Sequence, residues 1–578
     1  MDDLPGPSAC ECSDASSMSV REKEDDGYYD LGGFHRPITT LSAEAQKWFD
    51  RGLIWCYGFN HEEAAKCFER SIAHDTTCAM AYWGLAYALG PNYNKPWKLF
   101  AKQERYDTVE RTHRAVESAR LFAAANATPV ERALVEALSY RYPGDQEPTK
   151  TNCSVWNREY ADHMGSVHAE FSDDPDVATL YADAMMNLTP WQLWDLNSGE
   201  PATGARTMEV KRVLDHALSL DSGYRHAGVL HMYIHLMEMS REPEAAMPAA
   251  NRLRGLIPDS GHLNHMPSHL DILVGDYAQA VAANTAAIRA DEMFLRREGP
   301  MNFYTLYRSH DYHFRLYAAM FSGQSQVAFE TVSWLEATIS DDLLRIENPP
   351  MADWLESFLA MRVHAYIRFG RWKDLIGLEL PVDQELYCVT TALTYYAKGM
   401  AYAALGMVDE AEKQRQLFAK AVPRVKPSRT LFNNNCVDIL GVAETLFDGE
   451  LEYRRANYEI AFAHLRNSID KYDSLPFDEP WGWMQPARHA YGALLLEQGH
   501  VEDALEVYNA DLGLDDTLSR THRHPNNVWA LHGYHECLMR LGRTAEARAM
   551  RPRLEAAKAV ADVPILSSCF CRRTTVKL

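Results

Sequence analysis

No run of about eighteen apolar residues occurs anywhere in the chain, so the sequence predicts no membrane-spanning helix and no membrane partner. Basic charge is scarce: 58 Lys and Arg stand against 80 Asp and Glu, a formal net charge of −22. A surface of that sign repels phosphate backbones and argues against nucleic-acid binding. Paired CxxC units are missing, and the 11 cysteines are scattered without a framework spacing, so neither a structural zinc module nor a disulfide scaffold is expected. The expectation for the cysteines is reduced, mostly buried thiols, with "CEC" (10–12) and "CFC" (569–571) as incidental thiols in flexible ends. There is no Gly-rich phosphate loop, no GxSxG elbow and no dinucleotide fingerprint, so no nucleotide cofactor is expected. The start "MDDLPGPSACECSDASS" lacks the basic and apolar regions of a secretory signal, and the end "VKL" has Val where a peroxisomal tripeptide needs a small residue. The expected location is the cytoplasm.

What is present is helix-forming sequence. Ala, Leu, Met, Glu and Arg dominate from Leu41 onward, β-branched runs are absent, and amphipathic stretches alternate with short Gly, Asp, Asn or Pro breaks. The breaks share a pattern. "GDYAQA" (275–280), "GMVDEA" (406–411), "GHVEDA" (499–504) and "GRTAEA" (542–547) all read Gly-x-x-x-x-Ala; "NHEEAA" (60–65) begins with Asn instead, and "GRWKDL" (370–375) is a looser copy. Glycine can take the left-handed turn that ends one helix, and the small Ala five residues on lets the next helix pack closely against it. This pattern resembles the tetratricopeptide repeat, a helical hairpin that stacks into a solenoid. The predicted fold is therefore all-α: a curved, irregular helical-hairpin solenoid. Its expected divisions are a disordered acidic tail (1–36), an N-terminal helical-repeat half (37–345), a C-terminal repeat half (346–560) and a tail (561–578).

Eight of the 23 histidines fall between His226 and His313, about twice an even spread. Their spacing is more informative than their number. His231, His235 and Glu238 lie on one helix face. His265 and His269 repeat the four-residue spacing, with His262 upstream and Pro267 between them as a candidate helix start that leaves His262 outside. His310 and His313 form a third pair. Imidazoles one turn apart can chelate one ion, and neutral imidazole suits Zn, Cu, Fe and Ni, whereas Mg and Ca want oxygen. A lone histidine on a helix is more often a packing residue than a ligand, and the neighbouring methionines read as packing too.

Longer motifs carry a family resemblance. The segment from "HMYIHLMEMS" through "GHLNHMPSHL" and "GDYAQAVAANTAAIRADE" to "HDYHF" resembles a family of long tetratricopeptide-repeat proteins from bacteria and fungi. The matching positions are His231, Tyr233, His235, Glu238, His265, Met266, Pro267, His269, Asn284, Asp291, His310 and His313. Further matching pieces are "CAMAYWGLAYALGPNYNKPW" (78–97), "MNLTPWQLW" (186–194), "LPFDEPWGWMQPARHAYGALLLEQG" (475–499) and "HPNNVWALHGYHECL" (524–538), so the resemblance runs from about residue 45 to 545. Members are identified by their repeats; some fungal relatives accompany natural-product biosynthetic genes, which implies an accessory enzyme. His532 and His535 are not counted as ligands.

Two functions follow as expectations. The first is a metal-dependent oxidoreductase acting on a small organic molecule. His231, His235, His265, His269, His310 and His313 would hold iron or copper, and Glu238 would be a ligand or proton acceptor. Zinc at the same histidines would give hydrolytic or lyase chemistry. Asn92, Tyr93, Trp191, Tyr233 and Trp481 are the expected pocket residues, although inter-helix packing explains Trp191 and Trp194 at least as well. The second is an interaction scaffold that binds a protein partner in its groove, as repeat solenoids do.

Overall fold

The computed structural model describes residues 27–144 and 146–573. The described residues are predominantly helical. Among the described residues the strands are confined to Thr430–Leu431 paired antiparallel with Asn434–Asn435, plus an isolated bridge between Trp194 and Pro201.

Helices pair as hairpins at the breaks read from sequence. Ala43–Tyr57 packs on His61–His74, Pro267–Val274 on Tyr277–Glu298, Cys388–Ala404 on Val408–Ala421, Ala487–Gln498 on Val501–Asp511, and Val528–Arg540 on Thr544–Val560. Gly275, Gly406, Gly499 and Gly542 end the first helix of their hairpins at φ of 78°, 79°, 85° and 70°. A side chain in that left-handed region is strained, which is why glycine recurs there. At the Asn60 copy the left-handed residue is Phe59, at φ 54°, and Asn60 caps the following helix through Glu63 N–H. The alanines of the motif do what their size predicts: Ala280, Ala411, Ala504 and Ala547 are buried between the paired helices.

Two apolar cores fill the array. One runs from Tyr29 to Tyr307 and the other gathers residues from Met239 to Cys571. Trp191, Trp194 and Ile272 pack against both. The array also bends back on itself: the Ala43–Tyr57 helix reaches Ala227–Met237, and Thr305–Ser322 touches the last hairpin. No helix among the described residues is long and apolar enough to cross a membrane.

The expected tails are shorter than the sequence suggests. Residues 1–26 of the N-terminal tail and residues 574–578 of the C-terminal one, like "CEC", lie outside the described residues. Within 27–36, Tyr29 and Leu31 are buried, and Arg36 pairs with Asp176 at 2.7 Å. Residues 561–573 are likewise packed. The Asp562 carboxylate accepts from Ser325 and Gln326 N–H at the start of the Ser325–Thr338 helix, and the Ser568 carbonyl accepts from Arg368. Arg572 makes a two-pronged ion pair with Glu536, both contacts at 2.8 Å, and Arg573 reaches Glu497 and the Ala404 carbonyl. This C-terminal strap runs across helices drawn from much of the second half. Within it Cys569 and Cys571 are bonded to each other, against the expectation of free thiols, while Cys56, Cys67, Cys78, Cys153, Cys388, Cys436 and Cys537 are buried and free.

Candidate metal centre

The Ala227–Met237 helix is buried on every side, and the His226 side chain caps its start. It can lie against the Ala43–Tyr57 helix because residue 228 is glycine: a Cβ there would stand 2.6 Å from Thr179 and 3.0 Å from the Tyr57 ring. His231 and His235 project one turn apart, and Glu238 sits at the C-cap. A helix does restart at Pro267, yet Met266 between Gly261–His265 and Pro267–Val274 keeps helical angles (φ −49°, ψ −39°). His262, His265 and His269 therefore stay on one face, and His262 belongs to the cluster that Pro267 was expected to exclude it from. The Thr305–Ser322 helix supplies His310.

These side chains form two adjoining triads. The nitrogens of His231, His235 and His262 lie within 4.8 Å of one another, and those of His265, His269 and His310 do the same. Ring centroids are 4.8 Å apart for His231 and His235, 4.9 Å for His231 and His262, and 4.4 Å for His265 and His310. The triads touch through His235 and His269, 5.5 Å apart, and through His262 and His265, 5.7 Å apart.

Hydrogen positions follow from the partners. His231 Nδ1–H donates to the Tyr57 carbonyl (2.6 Å), so its Nε2 carries a lone pair. His265 Nδ1–H donates to Asn284 Oδ1 (2.6 Å), an orientation fixed because Asn284 Nδ2 donates to the Ala280 carbonyl (2.8 Å). His265 Nε2 then faces His269 Nε2 at 2.7 Å. Glu238 spans both triads: Oε1 meets His235 Nδ1 at 2.8 Å and Oε2 meets His269 Nδ1 at 2.5 Å. One assignment satisfies these contacts of Glu238, His235, His265 and His269 without metal. Glu238, protonated, donates to His269 Nδ1 and accepts from His235 Nδ1–H, and His269 Nε2–H donates to His265 Nε2. The first triad is left with His231 Nε2, His235 Nε2 and both His262 nitrogens buried and without partners. Buried polar atoms are seldom left so, because each loses its hydration without replacement. A cation bound by imidazole nitrogens at about 2.0–2.1 Å would satisfy His231 Nε2, His235 Nε2 and one nitrogen of His262, and the acceptors on the Nδ1 side of His231 and His235 are the outer contacts that metal-bound histidines use.

Burial sets the charge of the site. His235 and His265 are pushed down to about 3, and His231, His262, His269 and His310 are lowered as well, all by burial first. Burial raises Glu238 to about 8 and holds Glu479 well above the carboxylate range, with the Glu238 charge adding to the latter. At neutral pH the metal-free imidazoles are thus neutral and ready to ligate.

Of the residues singled out from sequence, Glu238 and five of the six histidines converge. His313 does not: three residues after His310, its ring stands edge-on to Phe358 at 5.4 Å and it joins neither triad. Tyr93 lies 5.0 Å from the His235 ring, and its hydroxyl accepts from Trp191 N–H. Tyr233 and Trp481 serve elsewhere, and Asn92 lies on the wall of a separate groove. Asn92 closes its own turn on Asn94 and Lys95 N–H, Tyr233 donates to Asp215, and Trp481 donates to the Tyr472 carbonyl. The structure adds His262, Glu479 (3.5 Å from His269 Nδ1), Asn284 and Asp311 (3.4 Å from His265 Nδ1). Of these, Asn284 stands among the family-motif positions and His262 upstream of its pair in the sequence, whereas Glu479 and Asp311 carry no local signal.

A cavity of about 280 Å³ opens beside the second triad. His310 and Glu479 form part of its wall, with Trp191, Tyr307, Trp354 and Phe432 around them. A second, larger groove of about 650 Å³ lies between the Phe59–Glu62 turn and Phe303.

No protein-family model matches the chain, and no curated protein matches it. Among solved structures, one of Naa15/Naa10 bound to HypK-THB aligns at 12% identity over 89% of this chain and 70% of that one, with a TM-score of 0.21. A crystal structure of the APC/C hetero-tetramer Cut9-Hcn1 aligns at 13% identity over 92% of this chain and 95% of that one, also with a TM-score of 0.21. Likeness at that level is distant.

Proposed function

We propose that this chain is a metal-dependent enzyme, an oxidoreductase acting on a small organic molecule, with one transition-metal ion in each histidine triad. The observation that carries the reading is the first triad: buried imidazole nitrogens from three positions converge with no partner but each other. The neighbouring triad makes a paired centre, and the cavity at His310 gives a molecule access to it. All-imidazole sets favour copper, iron or zinc over calcium and magnesium. Iron or copper would supply electron transfer; zinc in the same place would give hydrolytic or lyase chemistry instead. The chain's own part is to hold the ligands in one tautomer through the Tyr57 carbonyl, Asn284 and Glu238, and to keep bulk water from the centre by burial.

The test is elemental analysis of protein purified without a metal-binding tag. Two ions per chain are expected, and His231→Ala with His235→Ala should leave one. Protein that takes up no transition metal at any stoichiometry would overturn the reading. A scaffold without catalysis is the second reading, supported by the hairpin array and the larger groove, an architecture that repeat proteins use for partners. It predicts that partner binding survives removal of both triads.

A further inference from the structure

The cavity beside His310 has walls of one character and an end of another. Trp191, Tyr307, Trp354 and Phe432 present ring faces and edges, with Phe432 standing edge-on to His310 at 4.9 Å. Its volume, about 280 Å³, is at the small end for ligand pockets and suits a molecule of one or two rings. Flat aromatic walls favour flat ligands, since ring pairs add about 0.5–1.5 kcal/mol beyond the area they bury.

Charge at the other end is set by Lys98. Among the described residues it is the one Lys or Arg on the wall, it is exposed at the mouth, and its ammonium lies 5.7 Å from the Trp191 ring centre. Among the described residues it has no carboxylate partner, in a chain whose other lysines and arginines are widely paired. Two acids share the wall: Glu479 is turned toward His269 Nδ1 at 3.5 Å, and Asp478 accepts from Asn434 Nδ2 at 2.8 Å while burial holds it well above the carboxylate range. An anion at the mouth therefore meets one cation and no fixed negative charge from Asp478.

We propose that the cavity binds a planar aromatic acid of one or two rings, its anionic group at Lys98 and its far edge against His310. This deepens the reading of the triads as a reaction centre, yet the binding itself needs only Lys98 and the aromatic walls. That separates the two tests.

Full-length protein kept metal-free with chelator is titrated with 4-hydroxycinnamate, its methyl ester and 3-cyclohexylpropanoate, following tryptophan fluorescence and heat. The acid is expected to bind three- to fivefold more tightly than the ester, the upper range for an exposed ion pair. The saturated acid should bind more weakly than the aromatic one. Lys98→Met should abolish the preference for acid over ester, and Trp354→Leu should weaken both aromatic probes. Equal affinity for acid and ester, a preference that survives Lys98→Met, or no binding by either aromatic probe would each overturn the proposal. Two tightly bound metal ions in protein that binds no aromatic acid would overturn this inference alone. Aromatic-acid binding by protein that takes up no metal would overturn the reading of the triads alone.

Discussion

Glu238→Gln is the substitution whose effect the hydrogen assignment fixes most closely. Glutamine keeps the shape of the side chain but has one accepting oxygen and one donating nitrogen where a carboxylate has two acceptors. In the metal-free arrangement the oxygen accepts from His235 Nδ1–H and the amide donates to His269 Nδ1, as the protonated acid does. The reverse placement would leave His265 and His269 with lone pairs facing each other at 2.7 Å, so it is disfavoured. His235 therefore keeps the lone pair it offers to the first triad. His269 is held with hydrogen on Nε2 and is lost as a ligand to the second. Losing an outer contact of this kind costs about 10- to 100-fold in metal affinity. That is about 1.4–2.7 kcal/mol at 1.36 kcal/mol per decade. The assay is competition of zinc, as probe metal, between the protein and a chromophoric chelator, with helical content checked by circular dichroism. Wild type should show two tight sites and Glu238→Gln one. Two sites of undiminished affinity, or the loss of both together in a folded variant, would refute the assignment.

Three further outcomes are expected. His313→Phe should retain both metal ions, because that ring belongs to neither triad; loss of an ion, read by elemental analysis, would restore His313 to the ligand set. Gly499→Ala should cost roughly 1–2 kcal/mol, the price of a left-handed side chain in open space. Gly275→Ala should cost more, since its Cβ would stand 2.1 Å from the Pro525 carbonyl oxygen; equal melting of the two variants would contradict this. His364 is buried against Trp483 and pushed down to about 3 by burial. It stays neutral in the fold while the unfolded chain takes up a proton below about 6.5, so its support is whole above that pH and falls as pH drops toward 3. At pH 5 His364→Phe should retain about 2 kcal/mol more of its neutral-pH stability than wild type does, measured by urea unfolding. A variant that loses as much on acidification as wild type would count against a neutral buried His364.

The turns were legible in sequence because their cause is local: a left-handed residue followed by a small one is a property of six consecutive positions. The helical face of His231, His235 and Glu238 was legible for the same reason. The partners that decide the chemistry were not. The Tyr57 carbonyl lies 174 residues from His231, and Glu479 reaches His269 from another hairpin altogether. His313 stands apart from both triads because a three-residue step from His310 rotates its ring toward Phe358, and nothing in the spacing says which of the two faces the cluster. Tyr233 fits the family motif yet points to Asp215. The packed tails escaped notice since Tyr29, Leu31, Cys571 and Arg572 are anchored singly, with no periodic pattern to betray them.

The C-terminal strap changes how such an array should come apart. A stack of hairpins that touch only their neighbours behaves as a one-dimensional chain, free to fray from either end one unit at a time. Here Asp562, Ser568, Arg572 and Arg573 join the Ser325–Thr338 helix, the end of Met361–Arg368, Val528–Arg540 and the C-terminus of Cys388–Ala404 through a single extended segment. Detaching the last hairpin alone strips contacts from units that precede it by more than a hundred residues. The second half is thereby bound into one melting unit, and the loose end of the solenoid becomes the piece that makes its unfolding all-or-none.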